Sequence, residues 1–130
     1  MVAKGRALII QWGPALLWMG LIFLLSSRTP EQLPDFGPFD LLVKKGSHAV
    51  GYAVLGMLLW WALRMSRRPF LWALLGAAVY ALSDEWRQTF VPGRRGSLVD
   101  VLIDSLGALV GLLLLRWHQR RAPCPPDSGP

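Results

Sequence analysis

Residues 70–88 read FLWALLGAAVYALSDEWRQ, and this stretch decides how the chain folds. It is uncharged from Phe70 to Leu82 and then passes directly into Ser83, Asp84 and Glu85. A helix on the surface of a soluble protein carries polar residues along one whole face, and this run does not. A carboxylate at the end of a lipid-embedded helix is costly, so we interpret it first as part of a functional site.

The composition extends this interpretation to the whole chain. Hydrophobic residues make up 53% of the sequence, and three further apolar stretches are present. Because a helix needs about 20 residues to cross a bilayer, we predict an all-α integral membrane bundle of four transmembrane helices, at about 7–26, 46–64, 70–88 and 98–116. A soluble four-helix bundle is the alternative, but it would place charges along a face of every helix. The apolar runs of the first and third spans carry none.

The distribution of Lys and Arg predicts the orientation. Eight of them flank the spans on the side that holds both termini, and six lie on the other side. The positive-inside rule then places both termini in the cytoplasm. The net charge of +6 therefore suits anionic lipid headgroups, and no nucleic-acid partner is expected.

The membrane domain is predicted to cover residues 1–118, with a disordered Pro-rich tail at 119–130. Cys124 in this tail is the single cysteine, so no internal disulfide is expected. A turn at Pro92-Gly93 precedes Ser97, which is predicted to be the N-cap of the fourth helix.

Polar residues concentrate at the outer ends of the predicted helices. His48 and Tyr52 lie four residues apart on the second helix, and Lys45 lies one turn earlier. Asp100 and Asp104 have the same spacing on the fourth helix. This common depth predicts one shared polar cavity. The candidate catalytic residues are His48, Asp84 and Glu85, and the candidate substrate-binding residues are Lys45, Tyr52, Gln88, Arg94, Arg95, Asp100 and Asp104.

Small residues indicate where the helices approach each other. Gly107 and Gly111 form a GxxxG pattern on the helix face that carries Asp100 and Asp104, which predicts close backbone contact there. Gly51 and Gly56 on the second helix, and Gly76 on the third, are expected to act in the same way.

The residue types fit several chemical roles. His48 near a carboxylate can act as a general base, and Arg94, Arg95 and Lys45 can hold an anionic group. The sequence has no HExxH motif and no Cys/His ligand pattern, so no metal site is predicted, and the cofactor is left open. The structural alternative is a set of interhelical ion pairs, such as Arg94 with Asp100 or Lys45 with Glu85.

These residues resemble the pattern of the VanZ-like family over about residues 26–111. The shared motifs are Lys45-x-x-His48, Tyr52-x-x-Leu55-Gly56, Asp84-Glu85-x-x-Gln88-x-Phe90-x-Pro92-Gly93-Arg94 and Ser97-x-x-Asp100-x-x-x-Asp104-x-x-Gly107-x-x-x-Gly111. Many members have Glu-Tyr where this chain has Gly51-Tyr52, so a carboxylate at position 51 is not essential here.

The family is named for a small bacterial membrane protein implicated in resistance to the glycopeptide teicoplanin. The resemblance therefore implies a cell-envelope role, in which the protein acts on or binds a lipid-linked or anionic envelope substrate. The alternatives are a non-catalytic envelope-binding protein and a small transporter. A transporter ranks last because its polar residues would continue across the midplane. Catalysis, resistance and oligomeric state are left open by the sequence.

Overall fold

The computed structural model describes residues 2–28 and 34–123, and within these ranges the fold is all-helical. Four long helices follow one another: α1 (Val2–Ser26), α2 (Asp40–Leu63), α3 (Pro69–Gln88) and α4 (Leu98–Arg121). A short 3₁₀ helix at Gly37–Phe39 leads into α2. The all-α, four-helix prediction is confirmed.

Three of the four helices are long and apolar enough to cross a membrane, namely α1, the segment Gly37–Leu63 that contains α2, and α4. Helix α3 is shorter, at 20 residues, and its last turns hold Asp84, Glu85 and Gln88. A spanning helix satisfies all of its own backbone groups, which is why lipid-embedded chains are helical. The chain is therefore a membrane protein, and α3 is the helix whose polar end needs partners from its neighbours.

The helix boundaries differ from the predicted ones where apolarity alone was used to set them. Helix α2 begins at Asp40 rather than about 46, because Asp40 and Lys44 form an ion pair one turn apart that supports the added turn. Helix α4 continues to Arg121, which corrects the expected tail: residues 119–121 are helical. Residues 124–130 of that tail, including Cys124, lie outside the described residues.

Helices α2, α3 and α4 pack against one another around a core of small and branched apolar side chains, including Leu55, Ala77 and Leu112. Helix α1 lies against α2 and α3 and leaves most of its apolar surface exposed, as a lipid-facing helix does. Two side-chain hydrogen bonds attach it at adjacent residues: the Trp18 indole donates to the Gly51 carbonyl at 2.8 Å, and the Tyr80 hydroxyl donates to the Met19 carbonyl at 2.6 Å.

The GxxxG pattern marks the closest helix contact, as predicted. A Cβ atom added to Gly107 would meet the backbone of Ala49, with the Cα atom only 2.8 Å away. At Gly111 it would lie 2.8 Å from the Cα atom of Ala53. Gly56 contributes from the α2 side, where the Ala108 carbonyl is 3.0 Å from the added atom. Backbones this close require glycine on one side of the contact.

Two of the other glycines do not have the predicted role. Nothing lies within 4 Å of a Cβ atom added to Gly51, so this position is open. Gly76 meets only the tip of the Leu59 side chain, at an ordinary contact distance of 3.4 Å. Glycine is frequent in membrane helices, and only those that face a neighbouring backbone determine helix packing.

Candidate functional site at the polar end of the bundle

The up-and-down course of the chain brings four helix termini to one end of the bundle. Helices α1 and α3 end there, and α2 and α4 begin there. We call this the polar end, and the opposite one the basic end. The predicted site residues on α3 and α4 lie at the polar end, and so do Lys45 and His48 of α2. Tyr52 lies at the middle of α2, deeper in the bundle than predicted.

Asp84 is the centre of the network around the end of α3. Its side chain is buried, and one carboxylate oxygen accepts from the Ser26 hydroxyl at 2.6 Å and from the Arg87 guanidinium. The other oxygen accepts from the Gln88 amide at 3.3 Å. Arg94 in turn donates to the side-chain amide oxygen (Oε1) of Gln88 at 3.3 Å. Asp84 therefore joins α1, α3 and the connection between α3 and α4.

Arg87 and Ser26 were not among the predicted site residues. Arg87 also donates to the Ser27 hydroxyl at 2.6 Å, and its guanidinium carbon lies 3.9 Å from the centre of the Phe23 ring. Arg87 follows Asp84 by three residues on one helix, a spacing at which side chains meet. This spacing is the signal in the sequence that identifies Arg87 as a partner of Asp84.

Glu85 supports the start of α4. Its carboxylate accepts a hydrogen bond from the Ser97 backbone N–H at 3.0 Å. The connecting loop comes this close because Gly96 has no side chain: a Cβ atom there would lie 2.7 Å from the Glu85 carbonyl oxygen. Ser97 is the N-cap residue as predicted, but its side chain makes no capping hydrogen bond. A carboxylate from the preceding helix satisfies one free N–H instead.

Two charge pairs connect α2 to α4. The Lys45 ammonium lies 3.2 Å from an Asp100 carboxylate oxygen, and Nδ1 of His48 lies 3.7 Å from an Asp104 carboxylate oxygen. The sequence had suggested Lys45 with Glu85 and Arg94 with Asp100 as structural pairs. Neither pair forms: Lys45 pairs with Asp100, Arg94 donates to the Gln88 side chain, and Glu85 accepts from the Ser97 N–H. Lys45 meets Asp100 because the helix faces that carry them come together along the glycine contact between α2 and α4.

Asp104 has the most unusual environment in the cluster. Only 1% of the residue is exposed, yet within the part of the chain that the structure describes neither carboxylate oxygen accepts a hydrogen bond. The buried hydroxyl of Tyr52 likewise makes no hydrogen bond to any described residue. A buried polar group without a partner costs about 1–3 kcal/mol. In contrast, the side chain of His48 is 31% exposed and connects Asp104 to the surface.

The remaining predicted site residues differ in how far they are exposed to solvent. Arg95 is exposed, Arg94 and Lys45 are half-buried, and Tyr52 is buried beneath them. The residues pack as pairs rather than lining the predicted open cavity. Two surface depressions in the described part of the chain, of about 410 and 200 Å³, lie away from this cluster. Among the described residues, no group of three or more His, Cys, Asp or Glu side chains is arranged to hold a metal ion.

Fold and site together define a class: a small helical membrane protein with a charged network at one end of its bundle. The model of the VanZ/LLP1 family matches residues 12–119, so the chain belongs to that family. Family membership makes it a VanZ-like, envelope-associated membrane protein. A search of curated proteins found no match, and a search of solved structures found none.

Proposed function

We propose that this protein binds an anionic group of an envelope lipid or lipid-linked intermediate at its polar end. The observation that carries the proposal is the pairing of a half-exposed His48 with a buried Asp104 whose oxygens accept no hydrogen bond from the described residues. At 3.7 Å the buried carboxylate is too far from the ring for a hydrogen bond, so it acts on the imidazole through its charge. The other ring nitrogen can then donate to, or accept from, a bound group.

The surrounding charges suit an anion. Lys45 is one turn from His48, and the loop after α3 supplies Arg94 and Arg95. Arginine presents a planar set of donors that matches phosphate and carboxylate groups. We propose that the protein lies in the bacterial inner membrane with both termini cytoplasmic, so that the polar end faces outward.

Two of the predicted catalytic residues are better explained by structural roles. Asp84 accepts from three side chains, and Glu85 is 5% exposed and bound to the Ser97 N–H. A proton-transferring group must reach its substrate, and of the three predicted catalytic residues His48 is the most accessible. Acid/base chemistry by His48, beside the buried carboxylate of Asp104, is therefore the second candidate function.

A carrier function has little support. Below Tyr52 and Tyr80, the buried positions are occupied by alanine and leucine, including Leu59, Ala73 and Leu112. A proton or ion path across the membrane requires polar groups along its length.

The first test compares two neighbouring lysines. Lys44 pairs with Asp40 on its own helix, whereas Lys45 faces Asp100 across the α2–α4 contact. The full chain and the Lys45→Gln and Lys44→Gln variants are purified from bacterial membranes, and their retained lipids are identified by native mass spectrometry. We expect Lys45→Gln to retain one anionic lipid fewer than the parent and Lys44→Gln. Equal retention by all three would refute the binding site.

The second test separates binding from chemistry and addresses the family's association with teicoplanin. His48→Gln and Asp104→Asn are expressed in a teicoplanin-susceptible bacterium, and the inhibitory concentration of teicoplanin is measured beside lipid retention. If His48 transfers a proton, His48→Gln retains the lipid but loses any change in susceptibility. If the protein only binds, lipid retention and susceptibility fall together.

A further inference from the structure

The basic end of the bundle has a charge pattern opposite in sign to that of the polar end. It carries six arginines from α4 and the connection between α2 and α3: Arg64, Arg67, Arg68, Arg116, Arg120 and Arg121. Within residues 2–28 and 34–123, all aspartates and glutamates lie toward the other end. Such a one-signed surface at a helix terminus attracts anionic lipid headgroups.

Aromatic rings accompany these arginines. The Arg64 guanidinium lies 4.4 Å from the Trp61 ring centre, and that of Arg121 lies 3.9 Å from the Trp117 ring centre. Tryptophan and arginine together at helix ends are typical of the membrane–water interface. The basic end is therefore at headgroup depth.

A groove opens among the three core helices at this depth. It has a volume of about 200 Å³, and its walls come from α2, α3 and α4: Trp60, Phe70, Leu112, Leu115, Arg116 and Gln119. The guanidinium carbon of Arg116 lies 5.6 Å from the centre of the Phe70 ring. Among the described residues Arg116 forms no ion pair, so its donors are available at the edge of an otherwise mainly apolar groove.

We propose that this groove is a binding site for one anionic phospholipid of the surrounding leaflet. The phosphate would meet Arg116 and the Gln119 amide, and the upper acyl chain would contact Trp60, Phe70 and Leu115. Charge complementarity selects an anionic lipid over a zwitterionic one, because Arg116 and the neighbouring arginines have no acidic partner at this end among the described residues. This site lies at the opposite end of the helices from the proposed His48 site and is independent of it.

The test uses two arginines of α4 that differ in the direction they face. Arg116 lines the groove. Arg121, five residues after Arg116, stacks on Trp117 of the same helix. The full chain and the variants Arg116→Gln and Arg121→Gln are titrated with phosphatidylglycerol and, separately, with phosphatidylcholine. Binding is followed by native mass spectrometry.

We expect the parent chain to bind phosphatidylglycerol in preference to phosphatidylcholine. Arg116→Gln is expected to lower its affinity for phosphatidylglycerol about fivefold, the effect of about 1 kcal/mol per basic residue near a membrane surface. Arg121→Gln is expected to leave it within about twofold. An equal loss in both variants would mean that diffuse charge, and not the groove, attracts the lipid. Equal binding of the two lipids by the parent would also overturn the proposal.

A second variant keeps the proposal testable if Arg116→Gln does not fold. Gln119 is exposed at the rim of the groove, so Gln119→Glu adds a negative charge without disturbing the core. We expect this variant to melt like the parent and to bind phosphatidylglycerol at least about fivefold more weakly. Unchanged binding would refute a headgroup at this position.

Discussion

Replacing Gly111 by alanine adds one methyl group where the backbones of α2 and α4 touch. The new Cβ atom would lie 2.8 Å from the Cα atom of Ala53 and still closer to its carbonyl oxygen. Both neighbouring atoms are backbone, so no side-chain rotation can relieve the contact. The helices must move apart by several tenths of an ångström, which loosens the packing on both sides of the contact.

The cost follows from overpacking. Extra methyl groups forced into a well-packed core destabilise proteins by about 1–3 kcal/mol. Alanine also favours a helix by about 1 kcal/mol over glycine, which partly offsets this cost. We therefore expect Gly111→Ala to be destabilised by up to about 2 kcal/mol, and Gly111→Leu to be destabilised more. Gly51→Ala is the matched control, because Gly51 is also inside a helix but has nothing within 4 Å of the added atom.

Thermal unfolding of the purified variants in one detergent, followed by circular dichroism, measures the effect. Gly51→Ala should melt at or slightly above the temperature of the parent, because it gains helix propensity without a clash. Gly111→Ala should melt several degrees below it. If the two variants melted at the same temperature, the α2–α4 backbone contact would not be a determinant of stability.

Three further predictions address the polar end and the topology. Glu85→Leu leaves the Ser97 N–H unpaired and should destabilise the protein by about 1–3 kcal/mol, whereas Glu85→Gln retains an acceptor and should cost less; melting in detergent compares the two. Arg87→Gln leaves the buried Asp84 charge uncompensated and should cost about 3 kcal/mol, the lower end for a broken buried pair because Arg87 is partly exposed. Adding Asp84→Asn to Arg87→Gln should recover part of that loss, and no recovery in the double variant would contradict the pairing. A reporter active only in the cytoplasm should work when fused after Arg121 or Arg68, and one active only outside should work in the loop before α2; the reverse pattern would invert the orientation.

The fold could be predicted from the sequence because lipid restricts the choice of structure. Apolar stretches of spanning length become helices, and short connections such as 64–68 make neighbouring helices antiparallel. The boundaries were less predictable, because hydropathy does not detect turns stabilised by ion pairs. Lys44 and Asp40 extend α2 in this way, although both are charged.

The location of the site could also be predicted from the sequence, but the contacts between its basic side chains and its carboxylates could not. Residue type and depth were enough to place His48, Asp84, Glu85 and Asp104 at one end. Which cation meets which carboxylate depends on how each helix is rotated about its axis, and that rotation is set by the packing of neighbours. Glu85 shows the difference: it was predicted as an acid/base group, and it holds a backbone N–H of the next helix.

The glycine contact and the proposed site are parts of one arrangement. Gly107 lies one turn after Asp104 on α4, and Ala49, which it touches, directly follows His48 on α2. The close approach of these two backbones therefore sets how near the imidazole and the carboxylate come, now 3.7 Å. Any residue larger than glycine at position 107 would separate α2 from α4 at the level of the His48–Asp104 pair. The GxxxG pattern of α4 begins one helical turn from that pair. It is therefore needed for the geometry of the candidate site as well as for the stability of the protein.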